Sequence, residues 1–478
     1  MEACNQTSKS LIQVLITRGD TVQTFDAIIV GAGQAGPPLA ARLTGAGMTV
    51  ALIEREHVGG TCVNVGCTPT KTLVASARVA HVARRAADYG VVLQTGPVID
   101  MVRVRDRAIG VAADSRAKLQ AWLDGMQGLA LIRGHAWFTG PDRLQVGERE
   151  IGAKLIFLNV GARPARSGLP GIQDVPTLTS TTILDLDHVP AHLAVIGGSY
   201  IGLEFAQMYR RFGAQVTVIE RGDRLIARED PEISEAIRAI LDAEGIQVRT
   251  GADCVGFAHH ADGISVNVTC VAGAPEVIAT DVLVAVGRTP NTDDLDLKAA
   301  GITPDARGYI PVNDRLEAVT PGIWALGDCN GRGAFTHTAF NDYEIVAANL
   351  LDGGDRKVSD RIPAYALYID PPLGRVGLTE AQARAAGYPI LTVSRPMTRV
   401  GRAVERGETQ GLMKAVLDAA TGRILGAAIL GIEGDEAIHG ILNMMHAGAS
   451  YQTLQWAVPI HPTVSELIPT LMGDLKPG

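Results

Sequence analysis

No apolar run in this chain of 478 residues is long enough to cross a bilayer. From Met1 to Thr24 the apolar residues are broken by Asn, Lys, Arg and Asp, so neither a spanning helix nor a signal peptide is expected there. Basic tracts are missing as well. Lys and Arg number 43 against 51 Asp and Glu, a net charge of -8, and no patch interleaves aromatics with cations. Nucleic acid and anionic membrane are therefore not expected as partners. Cysteine is scarce, at six residues, and Cys4, Cys254, Cys270 and Cys329 are scattered. That usage excludes a secreted disulfide framework, fits a reducing cytoplasm, and leaves the four as expected apolar fillers or terminal residues.

The remaining two cysteines stand close together. Between Gly59 and Lys71 the chain reads Gly-Gly-Thr-Cys-Val-Asn-Val-Gly-Cys-Thr-Pro-Thr-Lys. The spacer between Cys62 and Cys67 is expected to be flexible, which would let the sulfurs come within disulfide reach. Pro69 suits the first turn of a helix that Leu73, Ala77 and Ala80 continue. Cys67 would then lie near a helix N-terminus, whose partial positive charge favours thiolate over thiol. Half of a structural zinc site is the alternative, but no second Cys or His pair lies nearby at ligand spacing. No metal is expected.

Two glycine clusters repeat one pattern. Phe25 to Val30 runs into Gly31-Ala-Gly33-Gln-Ala-Gly36, then a helical stretch, then Thr49 to Glu54. Leu193 to Ile196 runs into Gly197-Gly198-Ser-Tyr200-Ile201-Gly202, a second helical stretch, and Val216 to Glu220. Gly31 precedes Glu54 by the same interval as Gly197 precedes Glu220. In such βαβ units the glycines allow a tight turn and close approach to a pyrophosphate on the helix N-terminus, and the acid takes a ribose hydroxyl. Ser199 replaces a glycine in the second copy and is small enough for only minor displacement. Residues 154–164 and 281–291 read as matching strand-and-turn exits, and 320–328 as a buried strand ending in Gly327 and Asp328. After about Pro363 strands and helices alternate without glycine fingerprints. The expected fold is α/β, with two Rossmann-like domains and a C-terminal α+β domain, in a chain long enough for roughly three domains. The expected division is 1–165 and 289–360 for FAD, 166–288 for NAD(P), and 361–478 for dimerisation.

From Phe25 to Pro469 this ordered set, closing with His461-Pro-Thr-Val-Ser-Glu466, resembles the flavoprotein disulfide reductases, which include dihydrolipoamide dehydrogenase, glutathione reductase and mercuric reductase. The resemblance implies FAD and NAD(P)H as cofactors, and a homodimer with shared active sites. It makes Cys67 the flavin-side thiolate and Cys62 the sulfur that exchanges with substrate. Lys71 would face the flavin paired with Glu204, so that a positive charge sits near it. His461 and Glu466 would be the acid/base pair supplied across the dimer, which suits an exchange that takes a proton from one thiol and returns it to another. FAD would be held by Gly31, Gly33, Gly36, Glu54, Gly60, Thr61, Ala136, Gly161, Gly327 and Asp328. The nicotinamide nucleotide would be held by Gly197, Gly198, Ile201, Gly202, Glu220, Arg221 and Gly287, with Tyr200 covering the empty nicotinamide pocket.

Each of these residues has a plainer reading: His461 as a loop histidine, Lys71 and Glu204 as a surface pair of little consequence. Arg399 and Arg402 are either a grip for an anionic substrate or part of a solvated face. Glu220 favours NADH, although Arg221 and Arg224 could neutralise a 2'-phosphate. The expected activity is reduction of a small-molecule disulfide or related thiol-reactive substrate. Mercuric or other metal-ion reduction is the alternative, disfavoured by His461 where a mercuric reductase usually has tyrosine and by an end, Met472 to Gly478, that lacks a vicinal cysteine pair. A flavin-bound redox sensor is less favoured still.

Overall fold

The computed structural model of the protein describes residues 22–269 and 273–477. The readings placed on Cys4, on Cys270 and on the segment before residue 22 lie outside the described residues.

The first nucleotide unit is built from β1 (Gln23–Val30), α1 (Gly36–Gly45), β2 (Val50–Glu54), α2 (Gly60–Val65), α3 (Cys67–Arg84), α4 (Met101–Asp124), β3 (Leu129–Arg133), β4 (Ala136–Gly140), β5 (Arg143–Val146) and β6 (Arg149–Leu158). The strand order is β3-β2-β1-β6-β5-β4. β3, β2, β1 and β6 run parallel, whereas β4, β5 and β6 form an antiparallel meander. All five residues of β2 are buried, as expected of a parallel strand covered on both faces. The chain leaves through β7 (Ala162–Pro164) and returns much later.

The second unit repeats the first: β8 (His192–Ile196), α5 (Tyr200–Phe212), β9 (Gln215–Ile219), α6 (Pro231–Ala243), β10 (Gln247–Arg249). A small antiparallel sheet of β11 (Gly256–His260), β12 (Gly263–Asn267) and β13 (Glu276–Ala279) follows, then β14 (Asp281–Val284), which completes a parallel sheet ordered β10-β9-β8-β14. β15 (Arg288–Pro290) pairs antiparallel with β7, so the two exits lie side by side. β16 (Ile323–Ala325) then adds to β6 in the first sheet, ahead of α7 (Thr336–Leu351).

The C-terminal unit carries β17 (Ala364–Leu367), β18 (Leu373–Gly377), α8 (Glu380–Ala385), β19 (Ile390–Pro396), α9 (Gly401–Glu405), β20 (Leu412–Asp418), β21 (Ile424–Leu430), α10 (Gly434–His446), α11 (Tyr451–Gln455), α12 (Ile468–Gly473) and β22 (Lys476–Pro477). Its sheet is antiparallel, ordered β17-β18-β21-β20-β19-β22. The expected α/β architecture, with two nucleotide folds and a C-terminal α+β unit, is the one observed. Partly buried charges tie the units together. Asp370, between β17 and β18, receives Arg78 of α3 at 2.8 Å and Arg211 of α5. Arg211 is itself paired with Glu244 at 2.7 Å. Such networks fix relative placement more than they add stability, because desolvation offsets the attraction. Among the described residues no helix is long and apolar enough to cross a membrane.

Candidate active site

Cys67 opens α3, and Cys62 lies within α2. The spacer is therefore not the flexible loop expected. It is a helical turn that meets α3 at Gly66, where a Cβ would stand 2.7 Å from the carbonyl oxygen of Thr61. Glycine lets the two helices abut there. Both cysteines are free thiols. Cys67 Sγ lies 3.4 Å from the hydroxyl of Thr336, the first residue of α7. The Cys67 thiol is held down at about 6, first by the hydrogen bond from Cys62, then by Thr336 and by the charge of Lys71, against the opposing effects of burial and Glu204. Cys62, which keeps the shared proton and is itself partly buried, is pushed far up. Two helix N-termini thus meet at one sulfur, and the field of each favours thiolate.

Lys71 Nζ lies 2.7 Å from Glu204 Oε2, and Glu204 is 5% exposed. The other carboxylate oxygen accepts the backbone N–H of Tyr368 at 3.0 Å, and the ammonium sits 4.7 Å from the centre of the Tyr368 ring. This is a buried carboxylate joining α3, α5 and the C-terminal unit, not a loose surface pair.

The two glycine turns are built alike. Gly31 has φ +102°, and a Cβ there would be 2.3 Å from the carbonyl oxygen of Asn159; Gly197 has φ +112°, with Ala285 O at 2.5 Å. Glu54 accepts from the N–H groups of Ala32 at 2.9 Å and Glu56 at 2.8 Å. Glu220 accepts from those of Gly198 and Gly222, both at 2.6 Å. Each carboxylate still has acceptor capacity for a ribose hydroxyl. Ser199 sits in extended backbone just before α5, where a side chain is tolerated, and Tyr200 and Ile201 open the helix. Gly60 packs against Gly33, since a Cβ on it would be 2.9 Å from the Gly33 Cα, and Thr61 follows it in α2. Ala136 is buried at the start of β4, and Gly161 and Gly287 lie just before β7 and β15.

The Gly327–Asp328 turn also fits a polar ligand. The Gly327 N–H donates to buried Asp342 at 2.8 Å, and burial pushes the Asp328 carboxyl up while Arg288 opposes it. Arg288 Nε is 3.5 Å from Asp328, buried, and makes no hydrogen bond, as a site shaped for added hydroxyls would leave it.

His461 and Glu466 are paired at 2.8 Å in the loop between α11 and α12. The imidazole is 80% exposed. Arg402 braces this loop by donating to the carbonyl of Pro462 at 2.8 Å, and also pairs with Glu405 at 3.1 Å. Arg399 is exposed. Among the described residues no hydrogen bond or ion pair links His461 to the cysteines within one chain. Arg221 is exposed on the loop after β9, whereas the guanidinium of Arg224 turns back to the carbonyl of Ala227 at 3.1 Å.

Several site residues carried no sequence signal. Thr336 and Tyr368 are two of them. Asn159 is a third: its side chain accepts the Gly36 N–H at 3.1 Å and donates to the Leu326 carbonyl at 3.1 Å, joining the first glycine turn to the end of β16. Cys329 is a buried filler as expected, but Cys254 is not, being engaged in a disulfide.

Residues 25–342 match the family described as pyridine nucleotide-disulphide oxidoreductase, and residues 363–472 match its dimerisation domain. Over 461 residues the chain is 36% identical to the probable pyridine nucleotide-disulfide oxidoreductase RclA of Escherichia coli, covering 95% of this chain and 99% of that protein. Dihydrolipoyl dehydrogenase of Thermus scotoductus is 35% identical over 449 residues, covering 93% and 96%. Mercuric reductase of Staphylococcus aureus is 34% identical over 443 residues, covering 92% and 81%. The solved structure of the HOCl-induced flavoprotein disulfide reductase RclA from Escherichia coli matches with a TM-score of 0.86 and 36% identity, over 94% of this chain and 100% of that one. Likeness of this extent, along nearly the full length of each partner, shows that the chain belongs to the pyridine nucleotide-disulphide oxidoreductases, FAD- and pyridine nucleotide-dependent enzymes that act on sulfur groups.

Proposed function

We propose that the protein uses NAD(P)H and FAD to reduce a small-molecule disulfide or similar electrophilic sulfur substrate through the Cys62 and Cys67 couple. It would work as a cytoplasmic homodimer, with 1–165 and 289–360 holding FAD, 166–288 the nicotinamide nucleotide, and 361–478 the subunit contact. The observation that carries this reading is the setting of the thiol pair, with Cys62 in α2 and Cys67 at the N-terminus of α3, 3.4 Å from the Thr336 hydroxyl. Cys67 is a ready thiolate, whereas Cys62 keeps its proton and needs a base before it can attack. An exposed imidazole oriented by a carboxylate is the right reagent, and His461 with Glu466 is that pair.

Bound FAD supplies the two-electron link between nicotinamide and dithiol. Cys62 gives its proton to His461 of the partner subunit and attacks one sulfur of the substrate disulfide. The substrate S–S bond breaks, and the departing thiolate takes the proton back from the imidazolium. Cys67 then attacks Cys62, which releases the second thiolate, protonated from solvent through the same imidazole, and leaves the Cys62–Cys67 disulfide for the next reduction. Two electrons and two protons reach the substrate. Glu466 stabilises the charged imidazole between these transfers, and Lys71, held by Glu204, would supply a cation to bound flavin. Gly31, Gly33, Gly36, Glu54, Gly60, Thr61, Ala136, Gly161, Gly327 and Asp328 would hold FAD. Gly197, Gly198, Ile201, Gly202, Glu220, Arg221 and Gly287 would hold the nicotinamide nucleotide, under the cover of Tyr200.

NADH is the favoured donor. The Glu220 carboxylate is fixed by two backbone N–H groups and would repel a 2'-phosphate, while Arg224 is tied back to its own loop. Faster turnover with NADH than with NADPH is expected; a strong NADPH preference would overturn the weight placed on Glu220.

The activity is tested with a panel of disulfides and of Hg(II) and Cu(II) against the purified, FAD-loaded protein. Disulfide-dependent NADH oxidation that vanishes in Cys62→Ser and Cys67→Ser is expected. Turnover with a metal ion alone would favour the second reading, metal-ion reduction at the dithiol. That reading draws on the mercuric reductase relative and on RclA, whose solved structures include a Cu(II) complex of TM-score 0.86 and 36% identity over 95% of this chain and 99% of that one.

A further inference from the structure

If Tyr200 covers the nicotinamide pocket, something must hold its ring there. In a chain with only 8 Phe and 9 Tyr, three of these rings from three separate segments meet at this point. Phe335, just before α7, and Tyr365, in β17, stack with centroids 5.6 Å apart and planes 13° apart. Tyr200 stands nearly perpendicular to both, 5.4 Å from Tyr365 at 80° and 6.2 Å from Phe335 at 88°. Edge-to-face contact sets the positive rim of one ring against the negative face of another.

The far end of Tyr365 is moored. Its hydroxyl donates to Glu229, which is 2% exposed. The other oxygen of Glu229 lies 3.7 Å from Arg375, which is 1% exposed and also reaches Asp230 at 3.4 Å. Lys414 closes the cluster, 3.5 Å from Asp230 and 2.8 Å from Glu380. A charge buried this deeply is costly to leave unpaired, so the cluster holds its arrangement and the Tyr365 hydroxyl keeps a fixed acceptor. None of these residues touches the dithiol or has a place in the electron path.

We propose that Tyr365 is a positioning residue for Tyr200, its hydroxyl anchored on Glu229 so that its ring holds Tyr200 over the nicotinamide pocket until the dinucleotide displaces it, a role that rests on the reading of Tyr200 as that cover. The dinucleotide must break the edge contacts before its nicotinamide half can bind, which lowers its apparent affinity by the fraction of molecules already open. The adenosine half, placed near Glu220, does not meet this barrier. Loosening Tyr365 therefore tightens binding of the whole dinucleotide and leaves its adenosine portion unaffected.

The experiment is calorimetric titration of the FAD-loaded protein with NAD+ and, separately, with ADP-ribose, which lacks the nicotinamide ring. Tyr365→Ala is expected to bind NAD+ about fivefold more tightly, as loss of one aromatic contact implies, with ADP-ribose binding unchanged. Tyr365→Phe keeps the ring but loses the anchor, and shifts the same ratio in the same direction by less. Tyr200→Ala shifts it at least as far as Tyr365→Ala. If both ligands move together in the Tyr365 variants, or neither moves, while Tyr200→Ala still shifts the ratio, Tyr365 is packing alone and the proposal fails. If Tyr200→Ala leaves the ratio unchanged, the cover itself is refuted and the role of Tyr365 falls with it. The visible spectrum of bound flavin reports folding, and should Tyr365→Ala not fold, Tyr365→Phe decides.

Discussion

The proposed chemistry turns on a thiolate that is stable near neutral pH. An unfolded cysteine ionises near 9.0, whereas Cys67 ionises at about 6 in the fold, chiefly because Cys62 donates to it. Since the folded value is depressed, the contribution to stability is complete above the unfolded value and is lost as pH falls through about 6. The two-electron-reduced protein is therefore expected to show a long-wavelength thiolate–flavin absorbance at alkaline pH that fades with a midpoint near 6. In Cys67→Ser the band is absent at every pH, and in Thr336→Ala its midpoint rises, because one donor to the sulfur is gone. A midpoint near 9 in the unmodified protein would refute this account of the pair. Cys62 and Cys67 were legible in the sequence because their chemistry is local, a close pair ahead of a helix. Thr336 was not, since a lone threonine far along the chain has no spacing that ties it to Cys67. The disulfide at Cys254 has no sequence signature for a related reason: an isolated cysteine carries no mark of its partner.

At the scale of elements, one device appears twice. A buried parallel strand runs into a glycine turn, a helix follows, and the acid ending the next strand bonds back to the turn through Ala32 in one copy and Gly198 in the other. That is why the pattern could be read from glycines and one glutamate: each is demanded by backbone geometry that no other part of the chain can supply. The helical turn of α2 is not legible in the sequence, because a six-residue element with two glycines nearby has no periodicity to read. The repetition allows a matched test. A Cβ on Gly36 would lie 2.3 Å from the Gly31 carbonyl oxygen, and one on Gly202 would lie 2.0 Å from that of Gly197. Each substitution must push a helix away from its own turn. Gly36→Ala is expected to purify with markedly less flavin, whereas Gly202→Ala keeps its flavin and loses NAD+ affinity, read by absorbance and by calorimetry. Flavin loss in both variants would mean that the two turns do not serve separate nucleotides.

At the scale of the molecule, the groups that the proposed cycle needs lie on separate units, and among the described residues no hydrogen bond or ion pair joins them within a chain. In the proposed reaction Cys62 needs a base, and the imidazole assigned to that task is 80% exposed on the C-terminal unit. Beside it Trp456, Val458 and Ile460 are 78%, 96% and 79% exposed, an apolar cluster of the kind a partner covers. All lie within the segment that matches the dimerisation domain. In a two-fold dimer the same patch serves both subunits, so two equivalent sites would form, each with cysteines from one chain and histidine from the other. Complementation distinguishes this arrangement from any site contained in one chain. Cys62→Ser and His461→Ala homodimers are each expected to lose most disulfide reduction. In a heterodimer of the two, one site holds both defects and the other holds neither, so each heterodimer regains about half of the unmodified activity, and an equimolar mixture at random subunit exchange, in which about half of the dimers are heterodimers, regains about a quarter. Were each site built within a single chain, every site in the mixture would keep its defect and mixing would restore nothing.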